Sequence, residues 1–527
     1  MAVAAGCFFS ICISEDGRLF ATGNNTNGCL ASNSREHQQC FVSVNSEGAR
    51  FSALTAAMQH ALALDEHGNL FAVGSNFHGQ LGIGVALETL RLAPVPRGAL
   101  GGLRVHAIAA GLAHCLISAG APGAAGALRV FATGSNTEGQ LGTGDFAGRC
   151  EFAPVADGFA HGPAPAAGPA PAAPPAPVCR AARSPGALAA GGWHSCVVDP
   201  AGRLWTFGSL VGTPPLVAPD GTIGRAQAPM PCAFHPEVFD GQRVRAVAAG
   251  HCHIVTVTRR EPSGEASGEA SPEASVWSHG DACKGCLGHG LEPGAARSLA
   301  LPARVAALEG LSVSAVACGP YHNLAVARGL VFAWGNNGMA QLGLADCVDR
   351  AAPALVPLSA FGFERVAEVA AGVEHGCALT EMGVLYTFGR GKAAGLGGRP
   401  HVPCGLGLPG APAVQARPAR VGALFERQPS GARRARLGRW HGIPLAHALA
   451  WLLGTLPPRA EPAGPEPLGD GPLGGPSPPA RRSARLAARR AAHAHARRCW
   501  VAALPADVAR IILDQCRGRH GWFAGDM

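Results

Sequence analysis

Histidine is the polar side chain that recurs most regularly in this chain. His60, His114, His194, His253, His322 and His375 each stand three positions after the glycine slot of an Ala-Ala-Gly-type segment, and Phe9 holds that place in the first such segment. Imidazoles at matched positions invite a metal or proton-transfer reading. A metal–nitrogen bond spans only about 2 Å, however, and equivalent positions of separate repeats stand much farther apart. The expected role is structural: a strand histidine hydrogen-bonded within its own sheet.

Other reactive residue types fit known chemistry no better. Cys283-Lys284-Gly285-Cys286 is a lone Cys-x-x-Cys with no second pair at zinc spacing and no helix N-terminus to activate a thiol. Loops such as GSNTEGQLGTG are rich in glycine but lack the Gly-Lys-Ser/Thr ending of a phosphate cradle and open no helix. They read as turns in which glycine supplies positive φ, with Asn and Gln side chains bonding the loop backbone. No nucleophile–base pair or carboxylate dyad stands out. The expectation is a protein with no catalytic, cofactor or metal site.

Arginine is the remaining candidate. Residues 427–527 hold 16 Arg and 6 acids, a net charge of +10, against +8 for the whole chain. Within that tail Arg481, Arg482, Arg485, Arg489, Arg490, Arg497 and Arg498 crowd into RRSARLAARRAAHAHARR. Such a run suits phosphate backbone, nuclear import or acidic lipid; a solvated tail is the competing reading. The rest of the chain is close to neutral, so the two parts are expected to do different work.

What positions these residues is a repeat. Val130 to Asp145, VFATGSNTEGQLGTGD, follows IAAGLAHCLI, and together they make strand, turn, strand and glycine-rich loop. The unit recurs seven times, and the glycine closing its second strand falls at Gly23, Gly74, Gly134, Gly208, Gly280, Gly335 and Gly389. The steps of 51, 60, 74, 72, 55 and 54 fit one base period with insertions. A single small sheet cannot bury both faces, so the units must stack. With aromatics at 6%, charged residues at 15%, and Gly at 73, tight turns and small-residue packing are favoured over long helices. The expected fold is all-β: a seven-bladed β-propeller closed by N- and C-terminal strands, with a basic C-terminal tail that is partly helical or disordered. A proline-bearing segment precedes most Ala-Ala-Gly strands, and Arg417 to Val421 has none after it, whereas the chain begins with one at Ala4-Ala5-Gly6. One blade shared by both ends would remove the open edges.

Ala-Ala-Gly-x-x-His followed by Leu-Phe-x-x-Gly-x-Asn-x-x-Gly-Gln-Leu-Gly resembles the regulator of chromosome condensation repeat over about residues 1–424. WD and kelch repeats match less well. The resemblance implies a seven-bladed propeller. It also implies guanine-nucleotide exchange activity, because the founding member acts on the small GTPase Ran and docks on chromatin. No exchange residue of that family carries over to a position here.

Two low-complexity insertions, 146–185 and 260–275, read as surface excursions on the propeller at 1–424. The tail, 425–527, holds an apolar stretch at Ile443 to Leu456 and a closing LPADVARIIL that resembles the opening helix of an F-box. The leading expectation is a non-catalytic scaffold presenting loops to a protein partner. The alternatives are exchange on a Ran-like small GTPase and substrate adaptation for a ubiquitin ligase through the tail helix, with nucleic acid or chromatin a further partner of the tail. Many of the 18 cysteines sit in apolar strand runs, as reduced thiols would. The opening MAVAAGCFFSICI reads as a strand of the repeat rather than a signal peptide, and no apolar run reaches a membrane span. An intracellular protein of the cytoplasm or nucleus is expected.

Overall fold

The structure, a computed structural model, describes residues 1–120, 129–156, 188–209, 228–234, 236–259, 274–290, 298–393, 402–403, 406, 408 and 413–421. The chain divides into units Met1–Gln428 and Pro429–Met527, and the second lies wholly outside the described residues.

The seven repeats become seven four-stranded antiparallel sheets, each built from strands of one continuous region. Blade 1 holds Ala2–Ala5, Phe9–Ile13, Leu19–Gly23 and Gln38–Ser43. Blade 7 holds Val366–Ala371, His375–Thr380, Leu385–Arg390 and Val414–Arg420. Second strands are sandwiched between neighbouring blades, and so His60–Asp65 and His322–Ala327 are buried at every position. This is why they read as near-continuous apolar runs rather than strict alternation. Among the described residues the helical elements are 3-10 turns such as Arg97–Leu100 and Leu358–Phe361, and no described helix is long and apolar enough to cross a membrane.

The repeating glycine of the third strand pairs with the histidine slot in all seven blades, from Phe9↔Gly23 to His375↔Gly389. At Gly134 the reason is close approach: φ is +110°, and a Cβ would stand 2.4 Å from the Ala113 carbonyl oxygen. In every blade the residue before this glycine faces three residues of the fourth strand, so the outer strand bulges there. The side chain before the glycine can then reach the preceding blade. Thr133 Oγ1 donates to Gly79 O at 2.9 Å, and Trp334 Nε1 donates to Cys286 O at 2.9 Å.

First strands line a central channel containing a cavity of about 260 Å³. They converge tightly, and small residues line their inner ends. A Cβ on Gly111 would lie 2.6 Å from Gly191 O, and one on Gly372 would lie 2.5 Å from Gly6 O, closing the circle. Apolar clusters fill the junctions between blades. Between blades 6 and 7, for example, Leu324, Val326, Phe361, Val369 and Phe388 pack together. Burying each such side chain stabilises the fold by about 1.5–3 kcal/mol.

The seven-bladed all-β fold is as expected, and the two ends do meet, but no blade is shared between them. The N-terminal blade packs face to face on the C-terminal one through Val3, Ala5 and Cys12 against Ala370, Cys377 and Leu379. Val373 N donates to Gly6 O at 3.2 Å across the same seam. Each end supplies a full set of strands, so a sheet edge never needs the other terminus. The insertion expected from residue 146 also begins later, because Arg149–Pro154 is the fourth strand of blade 3. Its outer position tolerates proline and polar residues, which disguised it as low complexity. Likewise residues 274–275 open the strand Ala274–Gly280.

Candidate docking face and channel mouth

Antiparallel pairing sorts the connections onto two faces. One, here the turn face, carries the Ala-Ala-Gly turns between first and second strands and the glycine-rich loops between third and fourth. The opposite, hairpin face carries the hairpins between second and third strands and the links from blade to blade. The strand ends flanking 157–187 and 260–273 both lie on the hairpin face.

The histidines support the turn face from below, and they do so across blades. His60 Nε2 is hydrogen-bonded to Cys115 Sγ at 3.1 Å, His114 Nε2 to Ser195 Oγ at 2.9 Å and His375 Nε2 to Ser10 Oγ at 2.9 Å; His253 Nε2 donates to Asn323 Oδ1 at 2.7 Å. In each case the partner directly follows the histidine slot of the next blade. The expectation of bonding within the blade is therefore corrected: the histidine rings point out of their own sheets into the junctions. Ser195 Oγ donates its one proton to Gln140 O at 2.7 Å, which makes His114 Nε2 the donor to Ser195. Where the following position is apolar the pattern lapses. Position-equivalent Ile254 and Gly376 offer His194 and His322 nothing, and neither ring nitrogen of either residue has a partner among the described residues. Phe9, the exception in sequence, precedes a blade with Ala61 at that position.

Burial holds these imidazoles neutral. It pushes His60, His253 and His375 down to about 4, and His114 and His322 to about 3. His194 is also lowered by burial and by neighbouring imidazoles.

The glycine-rich loops are fastened as the sequence suggested. Asn76 Oδ1 accepts the Leu81 N–H at 2.8 Å while its amide donates to the Val85 and Leu87 carbonyls, the latter at 3.1 Å. Asn25, Asn136 and Asn337 repeat the arrangement. Gln80, Gln140 and Gln341 each accept a loop N–H at 2.9 Å. Each loop then latches the next blade: Gly84 N donates to Cys150 O at 2.9 Å and Gly144 N to Pro229 O at 2.8 Å. The Cys-x-x-Cys pair divides. Cys286 fills the Gln slot, is buried and donates to Asp281 O at 3.0 Å, whereas Cys283 is exposed. Cys29 fills the same slot in blade 1 and donates to Gln59 O at 3.0 Å.

Because the asparagines turn loop carbonyls inward, they turn apolar side chains outward. Phe77 is 68% exposed, Leu87 72% and Val348 62%, and Val85, Phe146 and Trp193 are also exposed. These six lie on the turn face. The two other exposed large apolar residues among the described ones, Met230 and Leu301, sit on outer strands. Sequence reasoning missed this set, although Phe77, Val85 and Leu87 stand within a loop that otherwise reads as turn.

Arg481, Arg482, Arg485, Arg489, Arg490, Arg497 and Arg498 lie outside the described residues, as do Ile443 to Leu456 and the F-box-like segment Leu504 to Leu513.

The model of the regulator of chromosome condensation (RCC1) repeat matches residues 273–326 and 328–379, and a second model of that repeat matches 2–29. These matches place RCC1 repeats within the chain. The windows 273–326 and 328–379 run from the third strand of one blade to the second strand of the next, so the repeat there is offset by half a blade from the sheets. The chain is similar to the secretion-regulating guanine nucleotide exchange factor of Bos taurus, 25% identical over 74% of this chain and 77% of that protein. It is 36% identical to the ultraviolet-B receptor of Arabidopsis thaliana over 34% of this chain, and spans only 37% of the receptor's length. Among solved structures, Prp20p from Saccharomyces cerevisiae shares the RCC1 propeller fold with a TM-score of 0.58 at 19% identity, over 79% of this chain and 88% of that one.

Proposed function

We propose that the propeller is a non-catalytic scaffold that holds a protein partner against its turn face. The observation that carries this reading is the segregation of Phe77, Val85, Leu87, Phe146, Trp193 and Val348 onto one face. Exposed apolar side chains gathered on rigidly fastened loops suit protein association. The buried histidines and serines are engaged in blade junctions and meet no solvent, so they serve stability. Affinity capture with the full chain tests the reading. Phe77→Asp with Leu87→Asp should remove the specifically retained partner while thermal stability stays within about 0.5 kcal/mol of the parent, as for exposed substitutions. Retention equal to the parent would overturn it.

A second reading is nucleotide exchange on a small GTPase. It is supported by the name of the Bos taurus relative, whose match covers most of both chains. Prp20p, which shares the fold, is described as binding Gsp1p and histones. Release of a fluorescent guanine nucleotide from a Ran-like GTPase should then accelerate at micromolar protein, and an unchanged rate removes this reading. An intracellular site, in cytoplasm or nucleus, goes with both. The Arg481–Arg498 cluster would add polyanion contact.

A further inference from the structure

Three side chains from consecutive blades meet at one side of the channel mouth. Trp193 of blade 4 packs on His251 of blade 5, with ring centroids 4.4 Å apart and a tilt of 44°. His251 Nδ1 is hydrogen-bonded to Tyr321 Oη of blade 6 at 3.0 Å, the two rings standing 5.6 Å apart and nearly perpendicular. At the Trp193 and Tyr321 position blades 2 and 3 have Gln59 and Ala113, so the repeat does not need this cluster for its own packing. Trp193 remains 38% exposed.

A carboxylate sits on the adjoining loop, tied to the residue after His251. Asp281 begins the glycine-rich loop of blade 5, where its N–H donates to Cys252 O at 2.8 Å. Its Oδ1 accepts the Cys283 N–H at 3.1 Å. Its charge contributes to raising both the Cys252 thiol, to about 11, and the Tyr321 hydroxyl, although burial is the larger cause for each. Among the described residues Asp281 has no ion-pair partner. Lys284, nearest to it in sequence, pairs instead with Asp349 at 3.7 Å. Burial lowers His251, so the imidazole between the two aromatic rings is neutral near pH 7 and repels no cation.

We propose that the ring cluster of Trp193, His251 and Tyr321, with Asp281 on the adjoining loop, takes a lysine or arginine side chain carried by the protein partner. The proposal rests on the reading of the turn face as a docking surface and specifies its chemistry. Aromatic faces attract cations through the ring quadrupole, and a carboxylate without an ion pair among the described residues adds charge complementarity. An anion would meet Asp281, and a purely apolar side chain would bury that carboxylate without a partner.

Fluorine NMR on the full chain labelled with 5-fluorotryptophan tests this directly, with Trp193→Phe identifying the Trp193 resonance. The probes are Nα-acetyl-arginine amide and Nα-acetyl-lysine amide, with the norleucine and glutamine analogues as controls. The cationic probes should shift the Trp193 resonance saturably, and Asp281→Asn should weaken their binding about 3- to 10-fold. No shift with either cation, or an equal shift with norleucine, overturns the proposal. Because the probes are free small molecules, that failure leaves the docking reading to be decided by the Phe77 and Leu87 substitutions, whose loss of partner does not depend on this cluster.

Discussion

Ser10 and His375 are 365 positions apart in the chain and 2.9 Å apart in the fold. Their hydrogen bond is the same inter-blade contact that His114 makes to Ser195, so the seam between the first and last blades is built like an internal junction. The ring is held shut by a repeated side-chain pairing and not by a special strap.

Ser10→Ala should therefore cost about 1–3 kcal/mol, because it leaves a fully buried imidazole without its partner. The chain also contains the apolar version of this contact position, Phe9 preceding a blade with Ala61. Adding His375→Phe to Ser10→Ala should recover part of the loss. Denaturant unfolding of both single variants and the double variant measures the coupling; strict additivity would contradict a direct interaction.

Acid should weaken the propeller through its histidines. Their folded pKa values lie below the ordinary 6.5, at about 4 for His60, His253 and His375 and about 3 for His114 and His322. The unfolded chain binds more protons between those limits, so stability is complete above pH 6.5 and falls as pH drops toward 4. Near pH 5 each such histidine removes about 2 kcal/mol. Thermal melts from pH 7.5 to 4 should show a steep decline, made shallower by His60→Phe together with Cys115→Ala. A flat profile across that window would show the rings to be solvated.

Asn76→Ala should loosen one loop more than the whole ring. It removes the acceptor for Leu81 N–H and the donor to the Val85 and Leu87 carbonyls. A loss of about 2–3 kcal/mol is expected, compared with less than about 0.5 for the exposed His67→Ala. Amide exchange should quicken within 79–88 while the strands His60–Asp65 and Leu70–Gly74 keep their protection.

Deleting 429–527 should abolish any salt-sensitive binding of nucleic acid and leave the propeller's melting unchanged. The parent's affinity should fall with a log–log salt slope near −0.9 per phosphate contacted. Salt-sensitive binding that survives the deletion would move the polyanion contact to the propeller.

Much of the fold was legible because its constraints are local. The glycine that must meet the histidine slot recurs seven times and announced seven sheets, and in four of them an asparagine that folds its own loop stands five positions before the leucine that plugs it. What faces a junction is set by sheet-to-sheet packing, which spacing alone does not encode. For that reason the partners Cys115, Ser195, Asn323 and Ser10 went unread, although each directly follows the repeated slot. Arg149–Pro154 was mistaken for insertion because an outer strand has one open side and little need of apolar residues. The exposed Phe77, Val85 and Leu87 had only a faint signature, apolar residues inside a turn-like loop, because a loop residue's exposure depends on where its carbonyl is tied.

The most direct measurement is amide hydrogen exchange of the full chain with and without the captured partner. Docking on the turn face predicts slowed exchange in 75–88, 135–148, 191–193 and 336–349, with the hairpins at 14–18, 65–69 and 380–384 unchanged. Protection confined to those hairpins would put the partner on the opposite face and contradict the assignment.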